Sequence, residues 1–393
     1  MTDSSWQAAS KVIEALEEQQ FEAVIVGGAV RDFLLGKEAN DVDVATSALP
    51  EETKAVFTKT FDVGIEHGTV LVVDFKEPVE VTTFRTDGDY TDHRRPDEVI
   101  FVRSLEEDLK RRDFTINAMA MRPNGDIIDL FNGRSDLVKR IIRAVGNAHE
   151  RFSEDALRIL RALRFSAQLD FRIEEKTQQA MYDSAAFLEK IARERMKIEF
   201  DKIFKSTYPS NAISAINDTP IATYLHGEFM ELALWKKLQT AGNEIIGWTF
   251  WVYTTGNRQL LDDYRCSNEE KKQVAQALIC MEILQQGDPS KMALFLYDES
   301  IWQVASACSN AVTPQQKPQL FENIRAQKKA LPIQSRQELA ISGRDLMAWT
   351  GKKGGPWLKE ALESIIVNVV MGRLQNDEQQ IKDWFKHEWN NQA

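Results

Sequence analysis

Asp41-Val42-Asp43 places two carboxylates two residues apart. On a strand successive side chains alternate faces, so Asp41 and Asp43 project together while Val42 and Val44 turn to the core. Parallel carboxylates repel, and one stays protonated unless a cation neutralises them. Mg²⁺ does this with one or two carboxylates plus substrate phosphates. Ordinary polar alternation on a half-exposed strand gives the same pattern, so the pair alone decides nothing. Just upstream, Val24-Ile25-Val26 runs into Gly27-Gly28 and a short helix. Free N–H groups and the helix dipole at such a turn favour a triphosphate, and Arg31 on the first turn adds a phosphate clamp. The third glycine of a dinucleotide fingerprint is missing, and there is no Gly-Lys-Ser/Thr of a P-loop. Glu80 is a candidate third carboxylate. It shares a strand face with Thr82 and Phe84 while Val81 packs opposite, a pattern that also fits a plain edge charge.

A second constellation lies at Glu154-Asp155-Ala156-Leu157-Arg158, read as the start of a helix that continues through Arg161 and Arg164. Asp155 and Arg158, three apart, are neighbours on one face. As an intrahelical ion pair they add only about 0.2–0.5 kcal/mol. As a protein-made template they do more: an ionised Asp accepts from an exocyclic amine, and Arg donates to ring nitrogen or carbonyl acceptors. Cytosine and adenine both present an amine beside an acceptor, whereas uracil and guanine set a carbonyl against the Asp. Such a pair admits C and A and rejects U and G, because rejection leaves buried polar groups unpaired. Arg161 and Arg164 follow at three-residue spacing and reach toward phosphates.

The first 145 or so residues alternate helix and strand signals. An amphipathic helix carries Trp6, Ala9, Val12, Ile13 and Leu16. Strands are expected at Phe21–Val26 and Asp41–Ala45, helices at Ala29–Leu35 and Pro50–Phe57. Thr69–Phe75 and Val79–Arg85 form a hairpin, and Thr86–Pro96 is a polar loop. Ser104 with Glu107 caps Leu105–Arg112, and Pro123–Asp126 turns between two short strands. From Ser153 onward helical periodicity dominates, so the fold class is α+β followed by a helical remainder. Ser206–Pro220 reads as a boundary and Pro314–Pro332 as a region of doubtful order.

At 393 residues the chain holds two to four domains, and a 43% hydrophobic share supports sizeable cores. No run of about 18 apolar residues suggests a membrane span, and residues 1–20 lack a signal peptide's pattern. Three scattered cysteines, Cys266, Cys280 and Cys308, indicate neither a disulfide framework nor a zinc site. A cytoplasmic protein is the simple expectation. The net charge of −11 looks wrong for a nucleic-acid binder, but Arg103–Arg164 holds 13 Lys+Arg against 10 Asp+Glu. Binding depends on such local distribution.

These residues, in this order and spacing, resemble the class II tRNA nucleotidyltransferases of the Gram-positive bacterial, CCA-adding type. Gly27–Asp32 with Asp41-Val42-Asp43 resembles motif A, Glu80–Arg85 motif B, Arg111–Ala118 motif C and Glu154–Arg158 motif D. The match covers roughly residues 20–170. More weakly, Ile341–Leu346 and Gly354-Gly355-Pro356 are similar to the family's tail. The resemblance implies a polymerase-beta-like head with a mixed sheet (1–150), an all-helical neck that reads the base (151–215), a helical body (216–320) and a tRNA-binding tail (321–393). It implies that Asp41 and Asp43 hold Mg²⁺ and that Glu80 completes the catalytic set. Gly28, Arg31, Arg112, Asp155, Arg158, Arg161 and Arg164 would bind the nucleotide. Asp113, in the motif C hinge, would be structural.

The implied activity is stepwise, template-independent addition of C, C and A to tRNA 3′ ends from CTP and ATP, by a monomer or homodimer. Competing activities are poly(A) synthesis, partial CC or A addition, and a non-enzymatic RNA-binding role. The loop Asp89–Pro96, with Arg94 or Arg95 beside Asp92 or Asp87, resembles the flexible loop of full CCA-adding members. The short chain argues against poly(A) polymerase, and without a His-Asp dipeptide no phosphohydrolase domain is expected.

Overall fold

The computed structural model describes residues 4–39, 41–87, 99–217, 219–313 and 317–389. The chain forms two compact units, Met1–Phe229 with Asp263–Arg265, and Met230–Asp262 with Cys266–Ala393. Among the described residues no helix is long and apolar enough to cross a membrane.

The first unit opens with α1 (Ser4–Glu18), whose buried Trp6, Ala9, Val12, Ile13 and Leu16 recur every three or four residues. There follow β1 (Ala23–Val26), α2 (Gly28–Leu34), β2 (Val44–Thr46), α3 (Pro50–Val56), β3 (Thr60–Gly64), β4 (Thr69–Val72) and β5 (Val79–Thr83). A small antiparallel ribbon, β6 (Arg85–Asp87) and β7 (Val99–Phe101), precedes α4 (Leu105–Lys110). Then come β8 (Ala120–Met121), β9 (Ile127–Ile128), α5 (Gly133–Lys139) and β10 (Ile141–Ile142). The main sheet is mixed, in the order β3-β4-β5-β2-β1-β8-β9, with β2 and β5 parallel and the other pairs antiparallel.

Register sets the two faces. Ile25, Val44 and Val81 align across β1, β2 and β5, on strands that α1 packs against. On the other face Val24, Val26, Ala45 and Phe84 form a core with Ala120 and with Leu105 and Leu109 of α4. Each such side chain stabilises by about 1.5–3 kcal/mol when fully buried. Phe84, expected to share the Glu80 face, does so, but at the buried end under α4 rather than in solvent. This face is thus core at one end and carries the carboxylates at the other.

Three expectations shift. The strand expected at Asp41–Ala45 begins only at Val44. The Val26 N–H donates to the Asp43 carbonyl at 3.1 Å, and β1 then turns away at Gly27, so the ladder does not continue past Asp43. Their alternation survives, with Val42 buried between exposed Asp41 and Asp43. Strand β3 was invisible in sequence because Phe61 and Val63 on it are exposed, leaving it an edge held by backbone pairing to β4. The loop residues Asp89–Pro96 lie outside the described residues; the flanking ribbon was not anticipated.

Helices α6 (Ala148–Glu154) and α7 (Leu157–Leu169) follow, then β11 (Arg172–Ile173), which pairs in parallel with β10, and α8 (Glu175–Asp183) and α9 (Arg193–Lys205). The stretch Ser206–Pro220 is no linker. It holds α10 (Pro209–Ile216), with Pro209 in the first turn where its missing N–H costs nothing, packed on α7 and α9. The division between units falls after Phe229 instead.

The second unit is helical around Trp235, Trp248, Trp251 and Trp302, all fully buried. Leu320–Lys329, within the stretch expected to lack order, is a helix. The Lys328 ammonium donates to the carbonyls of Leu294 (2.6 Å) and Tyr297 (3.0 Å), at the end of a neighbouring helix. All three cysteines are buried and outside any disulfide.

Candidate active site

Between β1 and α2 the chain turns at Gly27, with φ +71° and ψ −129°, a conformation that L side chains rarely adopt. A Cβ there would stand 3.1 Å from Arg112 Nη1, so the glycine serves both the turn and the approach of the guanidinium. Arg31 on α2 is held from two sides. Its Nε and Nη2 donate to the two carboxylate oxygens of Asp32, both at 2.9 Å, and Nη1 donates to Asn117 Oδ1 at 2.7 Å. Such a bidentate fork fixes direction as well as charge.

Helix α4 delivers two more cations. Ser104 caps it by accepting from the Glu107 N–H. Its buried Asp108 accepts from Arg111 on one oxygen (2.7 and 3.0 Å) and from Arg112 on the other (3.0 and 3.3 Å). Burial disfavours the Asp108 charge, but the two guanidiniums outweigh it and hold the carboxyl below the usual range. Next, Asp113 accepts from the Phe114 N–H (2.8 Å) and the Asn117 side chain (3.2 Å) on one oxygen, and from Arg161 Nε (2.7 Å) on the other. Burial alone would raise its pKa; the adjoining Arg161 brings it down to about 2.

The 154–158 region departs from the sequence reading. Glu154 ends α6, Asp155 is extended (φ −137°, ψ 103°), and α7 begins at Leu157. In place of an intrahelical Asp155–Arg158 pair, Asp155 takes Arg195 of α9 on one oxygen at 2.7 Å and the Leu157 N–H on the other at 3.0 Å. Arg158 pairs with Glu154 and donates to the carbonyls of Arg151 and Arg111, each at 3.1 Å. The break at Asp155 thus lets its carboxylate bond both the first N–H of α7 and Arg195 of α9. Further along α7, Arg164 forms a buried ion pair with Glu199 of α9 at 3.0 Å. Loss of hydration, with Arg161 and Arg31 nearby, lowers the Arg164 pKa to about 10, against the pull of Glu199 and Asp113.

These groups line one cavity of about 540 Å³. Gly27, Gly28, Arg31, Arg112, Arg158, Arg161 and Arg164 surround it, with Asp43 and Asp155. In all, seven arginines face three aspartates there, a balance that suits a polyanion. Asp41 and Glu80 stand apart in an adjoining recess of about 410 Å³ that also holds Glu77, and Asp43 alone borders both. Asp43 is raised above the ordinary carboxylate range by loss of hydration, then by Glu80 and Asp41, with Arg112 opposing. Among the described residues no three His, Cys, Asp or Glu side chains converge on one ligating point. The donor set is nevertheless all carboxylate, and two such groups suffice for a hard cation that takes its remaining ligands from phosphates.

Sequence reasoning missed Asp108, Asn117, Phe165, Gln168, Arg195 and Glu199. Asp108 and Asn117 sit within five residues of Arg112 and were findable as an acid and an amide flanking it. Arg195 is 40 residues from its partner, and nothing in its local pattern signals the pairing.

Residues 23–143 match a family model described as the poly A polymerase head domain, and residues 239–385 one described as tRNA nucleotidyltransferase domain 2. Residues 170–232 match a model for an RNA and SrmB- binding site of polymerase A. The chain is 40% identical to a CCA-adding enzyme of Bacillus cereus (strain B4264), across 97% of this chain and 98% of the relative, and equally to one of Bacillus anthracis. The crystal structure of the Bacillus stearothermophilus CCA-adding enzyme in complex with CTP superposes with a TM-score of 0.86 at 37% identity, covering 100% of this chain and 99% of that one. Similarity at this level over the whole length, with the arginine-lined cavity bordered by Asp43 and Asp155, leads to one conclusion: the chain belongs to the CCA-adding enzyme family of tRNA nucleotidyltransferases.

Proposed function

We propose that this protein adds C, C and A in turn to the 3′ end of tRNA, taking CTP and ATP and releasing pyrophosphate. The observation that carries this reading is that a single cavity holds both a triphosphate-suited arginine set and a separate carboxylate, Asp155, at the break between α6 and α7. Gly28, Arg31, Arg112, Arg161 and Arg164 bind the phosphates. Asp155, kept as an acceptor by Arg195, takes the exocyclic amine of cytosine or adenine, and Arg158 donates to the neighbouring ring acceptor. Asp41 and Asp43, with Glu80 beside them, hold a divalent cation, Mg²⁺ by the hardness of an all-oxygen set. When bound, that ion supplies charge stabilisation on the phosphates and a more acidic 3′-hydroxyl. Within the first unit the head performs the transfer and the neck reads the base; the helical second unit carries the tail (321–393), which grips tRNA. Such substrates place the protein in the cytoplasm.

The test is incubation with a tRNA ending before CCA and labelled CTP or ATP. Full CCA addition predicts A incorporation that depends on prior C addition and stops at three nucleotides. An unbounded A tail, or arrest after two C residues, would replace this reading with poly(A) or partial synthesis. Binding without incorporation would make the chain an RNA-binding module. Asp43→Ala serves as the control, abolishing incorporation while tRNA binding persists.

A further inference from the structure

Along α7 the residues Arg158, Arg161, Arg164, Phe165 and Gln168 all border the cavity, as their three- and four-residue spacing requires. Phe165 is the aromatic of this mostly polar stripe, which Leu157 borders at its start. It is buried, as are Leu160, Leu163 and Ala167 on the rest of the helix. Three guanidiniums surround its ring: Arg164 Cζ lies 4.3 Å from the centroid, Arg31 5.3 Å and Arg161 5.8 Å. Phe114 meets the same ring edge-on at 5.8 Å and 82°. Each of the three arginines also has its own carboxylate, in Asp32, Asp113 and Glu199.

We propose that Phe165 is a positioning residue for the nucleotide triphosphate, a ring against which arginines from α2 and α7 are set in a common orientation before substrate arrives. The inference rests on the reading of this cavity as a nucleotide site. Like charges this close repel, and Arg164 has lost most of its hydration. The negative face of an aromatic ring attracts a guanidinium by about 0.5–2 kcal/mol, and a flat surface removes rotamers that a carboxylate on one side leaves open. Anchoring by a carboxylate and a ring together leaves the outer N–H groups directed at the cavity, so little side-chain freedom is lost on binding. An aliphatic residue of similar bulk fills the space but supplies no quadrupole.

The experiment compares wild type with Phe165→Leu, Phe165→Met and Phe165→Tyr, each first checked for a cooperative thermal transition. Binding of inorganic tripolyphosphate is measured by calorimetry, and KM and kcat for CTP and ATP by primer extension. The expected result is a roughly tenfold weaker tripolyphosphate affinity in the Leu and Met variants. KM should rise in parallel for CTP and ATP, preference for CTP over UTP should be unchanged, and Tyr should restore wild-type values. Folded Leu or Met variants that bind tripolyphosphate like wild type overturn the proposal, as does a loss of base preference in place of phosphate affinity. If Leu fails to fold, Met and Tyr carry the comparison. Wild type that binds tripolyphosphate but incorporates no nucleotide refutes the proposed function and leaves this test intact.

Discussion

At the scale of single residues, the site is a set of arginines aimed by carboxylates, and Asp113 shows the consequence for stability. Its folded pKa of about 2 lies below the ordinary 3.8, so its ionisation stabilises the fold at pH values above 3.8, and that stabilisation is lost as pH falls through about 2. The difference corresponds to about 2 kcal/mol at neutral pH. Asp113→Asn should therefore lower unfolding stability by on the order of 2 kcal/mol at pH 7, with the gap from wild type narrowing between pH 4 and pH 2. Urea unfolding across that range checks it; a gap that stays constant down to pH 2 would contradict the linkage. That Asp41 and Asp43 share a face was legible in sequence because a two-residue spacing on an extended chain puts both side chains on one side. The partners of Arg112 and Arg161 were less so, since their carboxylates also fit solvated helix faces.

At the scale of elements, α9 carries charges of opposite sign one turn apart. Arg195 reaches Asp155 and Glu199 reaches Arg164, so one helix sets the separation between Asp155, proposed to meet the base, and Arg164, proposed to meet the phosphates. Arg195→Ala should leave catalysis with CTP nearly intact but raise UTP use relative to CTP by about tenfold, the value of a lost charged hydrogen bond. Competition assays with both nucleotides measure it, and an unchanged ratio would show that Asp155 needs no holder. The helices themselves were readable from periodicity. Their break at Asp155 was not, because Glu154, Ala156, Leu157 and Arg158 are good helix formers and a single Asp does not by itself end a helix; the turn is held in part by distant bonds, Asp155 to Arg195 and Arg158 to the Arg111 carbonyl.

At the scale of the whole molecule, the first unit is not continuous in sequence. Asp263–Arg265 returns to it, and fully buried Tyr264 packs edge-on against Phe200 at 5.2 Å and accepts from the His226 N–H at 3.2 Å. Tyr264→Ala should lower the stability of that unit by about 3–5 kcal/mol, as removal of a buried aromatic does, and should lower the thermal midpoint measured by CTP protection. An unaltered midpoint would remove Tyr264 from the unit's core. The acidic net charge, by contrast, says little, since arginines concentrate in one cavity while acids are spread along the chain. By itself the sequence determined which residues were candidates for the chemistry, since carboxylate spacing, a Gly-Gly turn and helix periodicity are local properties set by backbone geometry over a few residues. Only the tertiary structure decided which groups act together. It separated Asp41 and Glu80 from the cavity that Asp43 shares, gave Asp155 to Arg195 instead of Arg158, and gathered three arginines around Phe165. Those choices depend on contacts between residues tens of positions apart, where packing and charge compensation, and not local propensity, set the energy.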